Sequence, residues 1–322
     1  MENKMWVYML QLGTNMWRKK GRQSSKRLMD EEAYYRDYLN CDKETWRKVT
    51  EFLPSCGINT VLIDMGEGVK LDSHPELAVE GSWSKEEFRE ELKRLRSMGL
   101  TPIPKFNFSS GHSAWLQDYA YMVGTPKYYE VCKDIIEETI ELYDTPEFFH
   151  LGMEEEDAAS QKNQPVAIVR APYKKMEDMN FMFDVCRSKG VRPWIWLYES
   201  DVDALGGEEA FRKGIGKDVL ISAWYYKAIP DSPTVLETHA CARHFKRLGE
   251  WGYEQIPTAS TWAWHLNNKE TMTCCKNHVD PNSIRGYMTA SWHMTMPKKY
   301  YALLNDAFTF YNARKDVYGD IE

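Results

Sequence analysis

Four glycines, Gly57, Gly99, Gly190 and Gly252, stand at the same point of a repeating pattern: each follows a helical run and precedes a short apolar one. That is where a helix ends in a left-handed cap, which glycine adopts without steric cost. With the phase set, eight β-like runs read at 6–12, 60–64, 101–107, 148–152, 192–197, 219–224, 256–262 and 284–292. Helical patterns lie between them, for instance at 43–53, 85–97, 127–143, 174–188, 233–251 and 298–313. Alternation of this kind calls for parallel strands covered by helices. Eight such strands predict an α/β chain folded as a single (β/α)8 TIM barrel, one domain over residues 1–322, with a doubly wound open sheet as the alternative.

Hydrophobic residues make up 43% and charged residues 28%, enough for a sizeable core and too apolar for disorder. The net charge is −7 and, apart from the cluster Arg18-Lys19-Lys20-Gly21-Arg22, acids and bases are mixed along the chain. No broad basic surface for nucleic acid is therefore expected. No run approaches the ~20 apolar residues of a membrane span, and the first residues lack a signal pattern. The expectation is a cytoplasmic protein, or an exported one whose leader has been removed. The seven cysteines form no CxxC pair and no zinc-like spacing with histidine, so neither a metal, a cofactor nor a disulfide framework is expected, and Cys274 and Cys275 read as free thiols.

In a barrel the active site lies at the carboxyl ends of the strands, which turns the strand register into a list of candidates. The fourth run is the most informative: Phe148-Phe149-His150-Leu151-Gly152 is followed by Met153-Glu154-Glu155-Glu156-Asp157, four consecutive acids delivered by a buried strand. Around them fall Asp64 and Glu67 after the second strand, Asn107 and His112 after the third, and Tyr198 and Glu199 after the fifth. Trp224 and Tyr225 follow the sixth, Trp262 and Trp264 the seventh, and Trp292 and His293 the eighth. Carboxylates thus come from one side and aromatic rings, suited to the apolar faces of sugars, from the other. The competing readings are structural: Asp64 and Glu67 as loop caps, His112 as a turn residue, His150 as a core histidine, Glu156 and Asp157 as solvated or paired with Lys105 and Arg170. The partner expected is a carbohydrate, and the oligomeric state is left open.

Three blocks resemble the β-N-acetylhexosaminidases of glycoside hydrolase family 20. They are Asn59-Thr-Val-Leu-Ile-Asp64 followed by Gly68 to Leu77, Ser84 through Ile103-Pro104 to Gly111-His112, and His150-Leu-Gly152-Met-Glu154-Glu155, in the family's order and spacing. The chain departs from the family at Lys105, where an acid is usual, at Ser110 for proline, at Glu154 for aspartate, at Thr14 near the place of a sugar-binding arginine, and at His293 for an acid. The resemblance implies a barrel that hydrolyses a β-linked 2-acetamido sugar. It further implies Glu155 as general acid and Glu154 as the group orienting the substrate's own acetamido nucleophile. Two adjacent acids in a partly dry cleft do not both ionise easily, so one pKa is expected to rise. Three rivals are carried: a retaining glycosidase with Glu199 as nucleophile, an inactive glycan-binding barrel, and a metal-dependent hydrolase built on Asp64, His112, His150 and the acids.

Overall fold

The computed structural model describes residues 4–17, 35–161, 164 and 166–319; the basic cluster at 18–22 lies outside them. Eight parallel strands form the barrel: β1 Met5–Gln11, β2 Thr60–Asp64, β3 Thr101–Lys105, β4 Phe148–His150, β5 Arg192–Leu197, β6 Leu220–Ala223, β7 Thr258–Ala259 and β8 Gly286–Ala290. The ladder runs β6-β5-β4-β3-β2-β1-β8-β7, and single bridges Ile221–Gln255 and Trp224–Thr258 close the remaining seam. Its main helices are α1 Lys43–Phe52, α2 Lys85–Ser97, α3 Pro126–Leu142 and α4 Pro172–Ser188. Two short ones, α5 Glu199–Ala204 and α6 Glu208–Gly214, fill the fifth unit; α7 Val235–Thr238, α8 Ala240–Glu250, α9 Asn267–His278 and α10 Tyr300–Tyr318 complete the ring.

Local chemistry explains most boundaries. The side chains of Asp42, Ser84 and Thr125 each accept a backbone N–H of the first turn and start α1, α2 and α3. The four punctuating glycines all have positive φ, from 63° to 80°. The expected helix 233–251 divides at His239, whose ring caps α8 by accepting from the Ala242 N–H at 3.3 Å. The expected strand 256–262 shrinks to two residues: Pro257 has no N–H to give the ladder, and Asn267 draws the Ser260 N–H away at 2.9 Å. α9 carries no apolar stripe of helical period, only Met272, Cys274 and Cys275 among polar residues, and so left little helical signal.

Strand parity creates two cores. Val7, Met9, Leu62, Ile103, Phe148, Trp194, Trp196, Leu220, Ile256 and Met288 fill the barrel, while Tyr8, Leu10, Ile63, Phe149, Ile195 and Ile221 face the helices. The interior sequence then continues upward by twos into Gln11, Asp64, Lys105 and His150, so the apolar barrel is roofed by a polar layer. All seven cysteines are buried and unbridged. Among the described residues no helix is long and apolar enough to cross a membrane.

Candidate active site

The acids after β4 are held in place by the loop after β3. Gly152 has φ +75°, and a Cβ there would lie 2.2 Å from Asn107 Oδ1, so only glycine lets the two loops meet. Met153 and Glu155 also take positive φ, 85° and 54°, a conformation few side chains adopt without outside support. That support is visible: the Ser109 hydroxyl donates to the Glu154 carbonyl, and Ser110 N–H donates to Glu156 Oε1 at 2.9 Å. The peptide after β4 is thereby bent so that successive acids point to different places.

Glu154 points inward. Its carboxylate is enclosed, accepts the Asn107 side-chain N–H at 3.1 Å on Oε1, and leaves Oε2 buried with no protein donor. Glu155 points to the opening, its side chain 42% exposed, with Oε2 3.2 Å from His112 Nε2. The other imidazole nitrogen, Nδ1, lies 3.5 Å from Glu154 Oε1, an ion-pair distance too long for a good hydrogen bond. His112 therefore bridges the two acids. Burial opposes its charge, but Glu155 and Glu154 outweigh that and raise its pKa. Burial pushes the Glu154 carboxyl up, against the pull of His112 and Lys105. The acid with the raised pKa is thus the enclosed Glu154.

Glu156 turns away from the cleft. Burial would raise its pKa, yet Arg170, with Lys175 and the Ser110 N–H, holds it below the usual carboxylate range. Arg170 pairs also with Asp178 at 3.0 Å. The expected partner Lys105 is elsewhere, on Asp64 at 2.6 Å, and Asp157 is exposed, accepting the N–H groups of Ala159 and Ser160.

Several candidates fall outside the cleft. Asp64 is 1% exposed and paired with Lys105 in the polar layer above the barrel core. Burial raises its pKa, countered by Lys105. Glu67 is spent on the β1 loop: its carboxylate accepts Thr14 N–H at 2.9 Å and Asn15 N–H at 3.1 Å, and burial pushes its pKa up to about 7. His150 is the core residue of the structural reading, with Nδ1 accepting the Gly152 N–H at 3.1 Å and its ring against Trp194 and Trp196. Glu199 opens α5 beside Tyr198 and Cys241. From the same turn it is the buried Asp201 that meets the acids: its carboxylate accepts Tyr198 N–H at 2.8 Å and faces the Glu155 N–H.

The aromatic wall is likewise sorted by parity. Trp224 and Tyr226 stack at 4.9 Å and pack on the inner core, whereas Tyr225 between them turns outward onto His239. Tyr198 lies 4.7 Å from Trp224. Trp292 joins Trp17 at 5.8 Å, Trp196 at 6.2 Å and Tyr226 at 6.4 Å, and Trp17 in turn meets His112 at 6.2 Å. Burial, with Glu154 and Glu155 adding to it, raises the Tyr226 hydroxyl pKa well above its usual value. Trp264 leaves the wall, donating to Glu270 of α9 at 3.0 Å, and Trp262 is 52% exposed. His293 acts electrostatically on Asp306 of α10. The site thus unites Asn107, His112, Glu154, Glu155, Tyr198, Trp224 and Trp292 with Trp17, Trp196, Tyr226 and Asp201. Trp17 and Tyr226 follow β1 and β6 by counting in steps of two past the strand end, Asp201 reaches the acids through the turn into α5, and Trp196, inside β5, is the one that a reading of strand ends passes over. Among the described residues no group of three or more His, Cys, Asp or Glu side chains is arranged to hold a metal ion.

No protein-family model and no curated protein sequence matches the chain. Solved structures do. The barrel superposes on the β-N-acetylhexosaminidase of Bacteroides fragilis with a TM-score of 0.61 at 13% identity, over 95% of this chain and 65% of that one. It superposes on the pneumococcal virulence factor StrH with a TM-score of 0.60 at 15% identity, over 98% and 84%. For Streptomyces plicatus β-hexosaminidase, solved with GlcNAc, the values are 0.59 and 12%, over 94% and 62%. The chain spans less than two thirds of the first and third of these proteins. What it shares with them is the barrel: the fold resembles that of the family 20 β-N-acetylhexosaminidases.

Proposed function

We propose that the protein is a glycoside hydrolase acting on a β-linked 2-acetamido sugar, with Glu155 as general acid and Glu154 orienting the acetamido group for attack on the anomeric carbon. The observation that carries this reading is the unlike setting of two neighbouring acids. One carboxylate is enclosed, with a free oxygen and a fixed donor on the other; its neighbour stands at the opening 3.2 Å from a histidine whose pKa the two acids raise against burial. An enclosed carboxylate with an unpaired oxygen suits an amide N–H, and an exposed one suits a leaving glycosidic oxygen. Trp17, Trp292, Tyr226 and Trp224 supply apolar faces for the sugar ring. The barrel's likeness to hexosaminidases of known structure supports the same reaction class.

The test has two parts. Glu155→Gln should reduce kcat by ~10²–10⁴-fold on substrates with poor leaving groups and far less on activated aryl glycosides, because only the former need the proton. A thiazoline analogue of the cyclised intermediate should inhibit the native protein. Equal losses on both substrate types would remove Glu155 from its role. An inert thiazoline together with a 2-fluoro sugar trapped on Glu199 would replace the mechanism with a glycosyl-enzyme one, and glycan binding without turnover would leave a binding barrel.

A further inference from the structure

The turn after β3 lies across the acids after β4, and its grip ends on an acid that the chemistry above leaves unused. Ser109 to His112 close a tight turn, with His112 N–H donating to the Ser109 carbonyl at 3.0 Å. The Ser109 hydroxyl donates to the Glu154 carbonyl, and Gly111 lies so near Glu155 that a Cβ there would meet its carbonyl oxygen at 2.5 Å. Both of these contacts are to backbone. The third is to a side chain: Ser110 N–H donates to Glu156 Oε1 at 2.9 Å. Glu156 is in turn enclosed by Arg170, whose fork spans both carboxylate oxygens, Nε donating to Oε2 at 3.1 Å and Nη2 to Oε1. Arg170 Nη1 donates to Asp178 Oδ2 of α4 at 3.0 Å, and the side chains of Glu156, Arg170 and Asp178 are 5%, 4% and 0% exposed. Gln161 closes the loop behind them, its amide donating to the Glu156 carbonyl at 3.1 Å and the Ile168 carbonyl at 3.0 Å.

We propose that Glu156 is a positioning residue: held by Arg170, its carboxylate ties the loop that carries His112 to the loop that carries Glu155. Glu156 follows Glu155 in the chain and is bonded through Ser110 N–H to a point two residues before His112. One side chain therefore sets both ends of the 3.2 Å contact between His112 Nε2 and Glu155 Oε2. The Glu155 peptide needs such a hold, because its φ of 54° is a conformation that a non-glycine residue keeps only with outside support. The anchor is stiff. A guanidinium fork fixes a carboxylate in direction as well as in place, and an enclosed pair has little water to compete with it. Against burial, Arg170 and Lys175, the latter 3.8 Å away, keep the carboxyl ionised and hence an acceptor. Asp178 fixes the far end of Arg170 to α4 and also accepts the Tyr129 hydroxyl of α3, so the helix ring sets the place of the acid as much as the loop does. The inference rests on the proposed role of Glu155 as general acid, but the tether itself can be read without turnover.

The test compares Glu156→Ala, which removes the tether, with Glu156→Gln, which keeps an oxygen for the Ser110 N–H. Amide hydrogen exchange in the full chain, followed by NMR, reads the tether: in Glu156→Ala the protection of Ser110 N–H should fall at least ~10-fold, while that of Leu151 N–H, bonded to the Trp194 carbonyl in the barrel wall at 2.8 Å, stays as in the native protein. Kinetics read its consequence. Glu156→Ala should lower kcat by ~10–10²-fold on glycosides with poor leaving groups, with far less effect on activated aryl glycosides and little change in KM, because the proton donor is misplaced and the sugar's site is not. Glu156→Gln should retain most of both protection and kcat. Where Glu156→Ala fails to fold, Arg170→Lys, which keeps the charge and loses the fork, should show the same leaving-group-selective loss in smaller measure. A Ser110 amide as protected in Glu156→Ala as in the native protein, equal losses on both substrate types, a Glu156→Gln no better than Glu156→Ala, or an Arg170→Lys with native leaving-group dependence would overturn the proposal. Where no glycoside is turned over, the proposed function falls, and the exchange of Ser110 still decides for or against the tether.

Discussion

Replacing Glu67 by glutamine should remove a large part of the pH dependence of stability. In the native protein this carboxyl is buried, accepts two backbone N–H groups of the β1 loop, and is pushed from its ordinary 4.5 to about 7 by burial. The folded state therefore holds the proton more tightly than the unfolded chain does. The stability this confers is complete below about pH 4.5 and is lost as pH rises through 7. At ~1.4 kcal/mol per pH unit the shift corresponds to about 3 kcal/mol, most of it lost between pH 5 and 8. Glutamine keeps an oxygen to accept from Thr14 and Asn15 and cannot ionise, so the variant should lack this slope. Urea denaturation of both proteins at pH 5, 6, 7 and 8 measures the difference directly. Relative to the variant, the native protein should lose stability steadily as pH rises; a difference that stays flat within ~0.5 kcal/mol, or grows in the native protein's favour, would refute the reasoning.

Asn107→Ala removes the donor that favours the charged form of Glu154, so the acidic limb of kcat/KM should move to higher pH; an unmoved or lowered limb would detach Asn107 from the acid. Asp201→Ala should cost roughly 10-fold or more in kcat by freeing the left-handed Glu155 peptide, whereas Glu199→Ala should cost little; the reverse order would restore Glu199 as the fifth-strand acid. Trp292→Ala should raise KM and leave the chain folded, because the half-buried ring stands in the cleft among Trp17, Trp196 and Tyr226. A melting temperature that collapses with KM unchanged would mark it instead as a core ring, whose removal typically costs ~3–5 kcal/mol.

The barrel was legible because its strands are buried on both faces and four of its helix-to-strand junctions are marked by glycine. The expected runs at 60–64 and 192–197 coincide with β2 and β5, where β-branched and aromatic residues stand between clear punctuation. Legibility failed where one residue overrode the pattern, as Pro257 does in β7 and the polar makeup of α9 does for that helix. At the site, sequence position revealed which loops meet but not which side of the chain faces the cleft. Tyr225 and Tyr226 are indistinguishable by composition, and only the inward parity of Ser222 and Trp224 turns the second one in. Glu199 and Asp201 differ in the same way, since the turn into α5 reverses the side chain's direction and buries the later acid. Lys105 could not be assigned its partner from spacing alone; the β2–β3 register decides for Asp64 over the acids of the β4 loop.

The enclosed Glu154 and the exposed Glu155 are proposed to act together on a 2-acetamido glycoside. The most direct measurement is hydrolysis of paired 4-nitrophenyl β-glycosides that differ only at C2, acetamido against hydroxyl, by the native protein and by Glu154→Ala. Turnover of the acetamido substrate alone is expected, with its severe loss in Glu154→Ala. Turnover of the 2-hydroxy substrate at a comparable rate, or an acetamido activity that survives in Glu154→Ala, would contradict it.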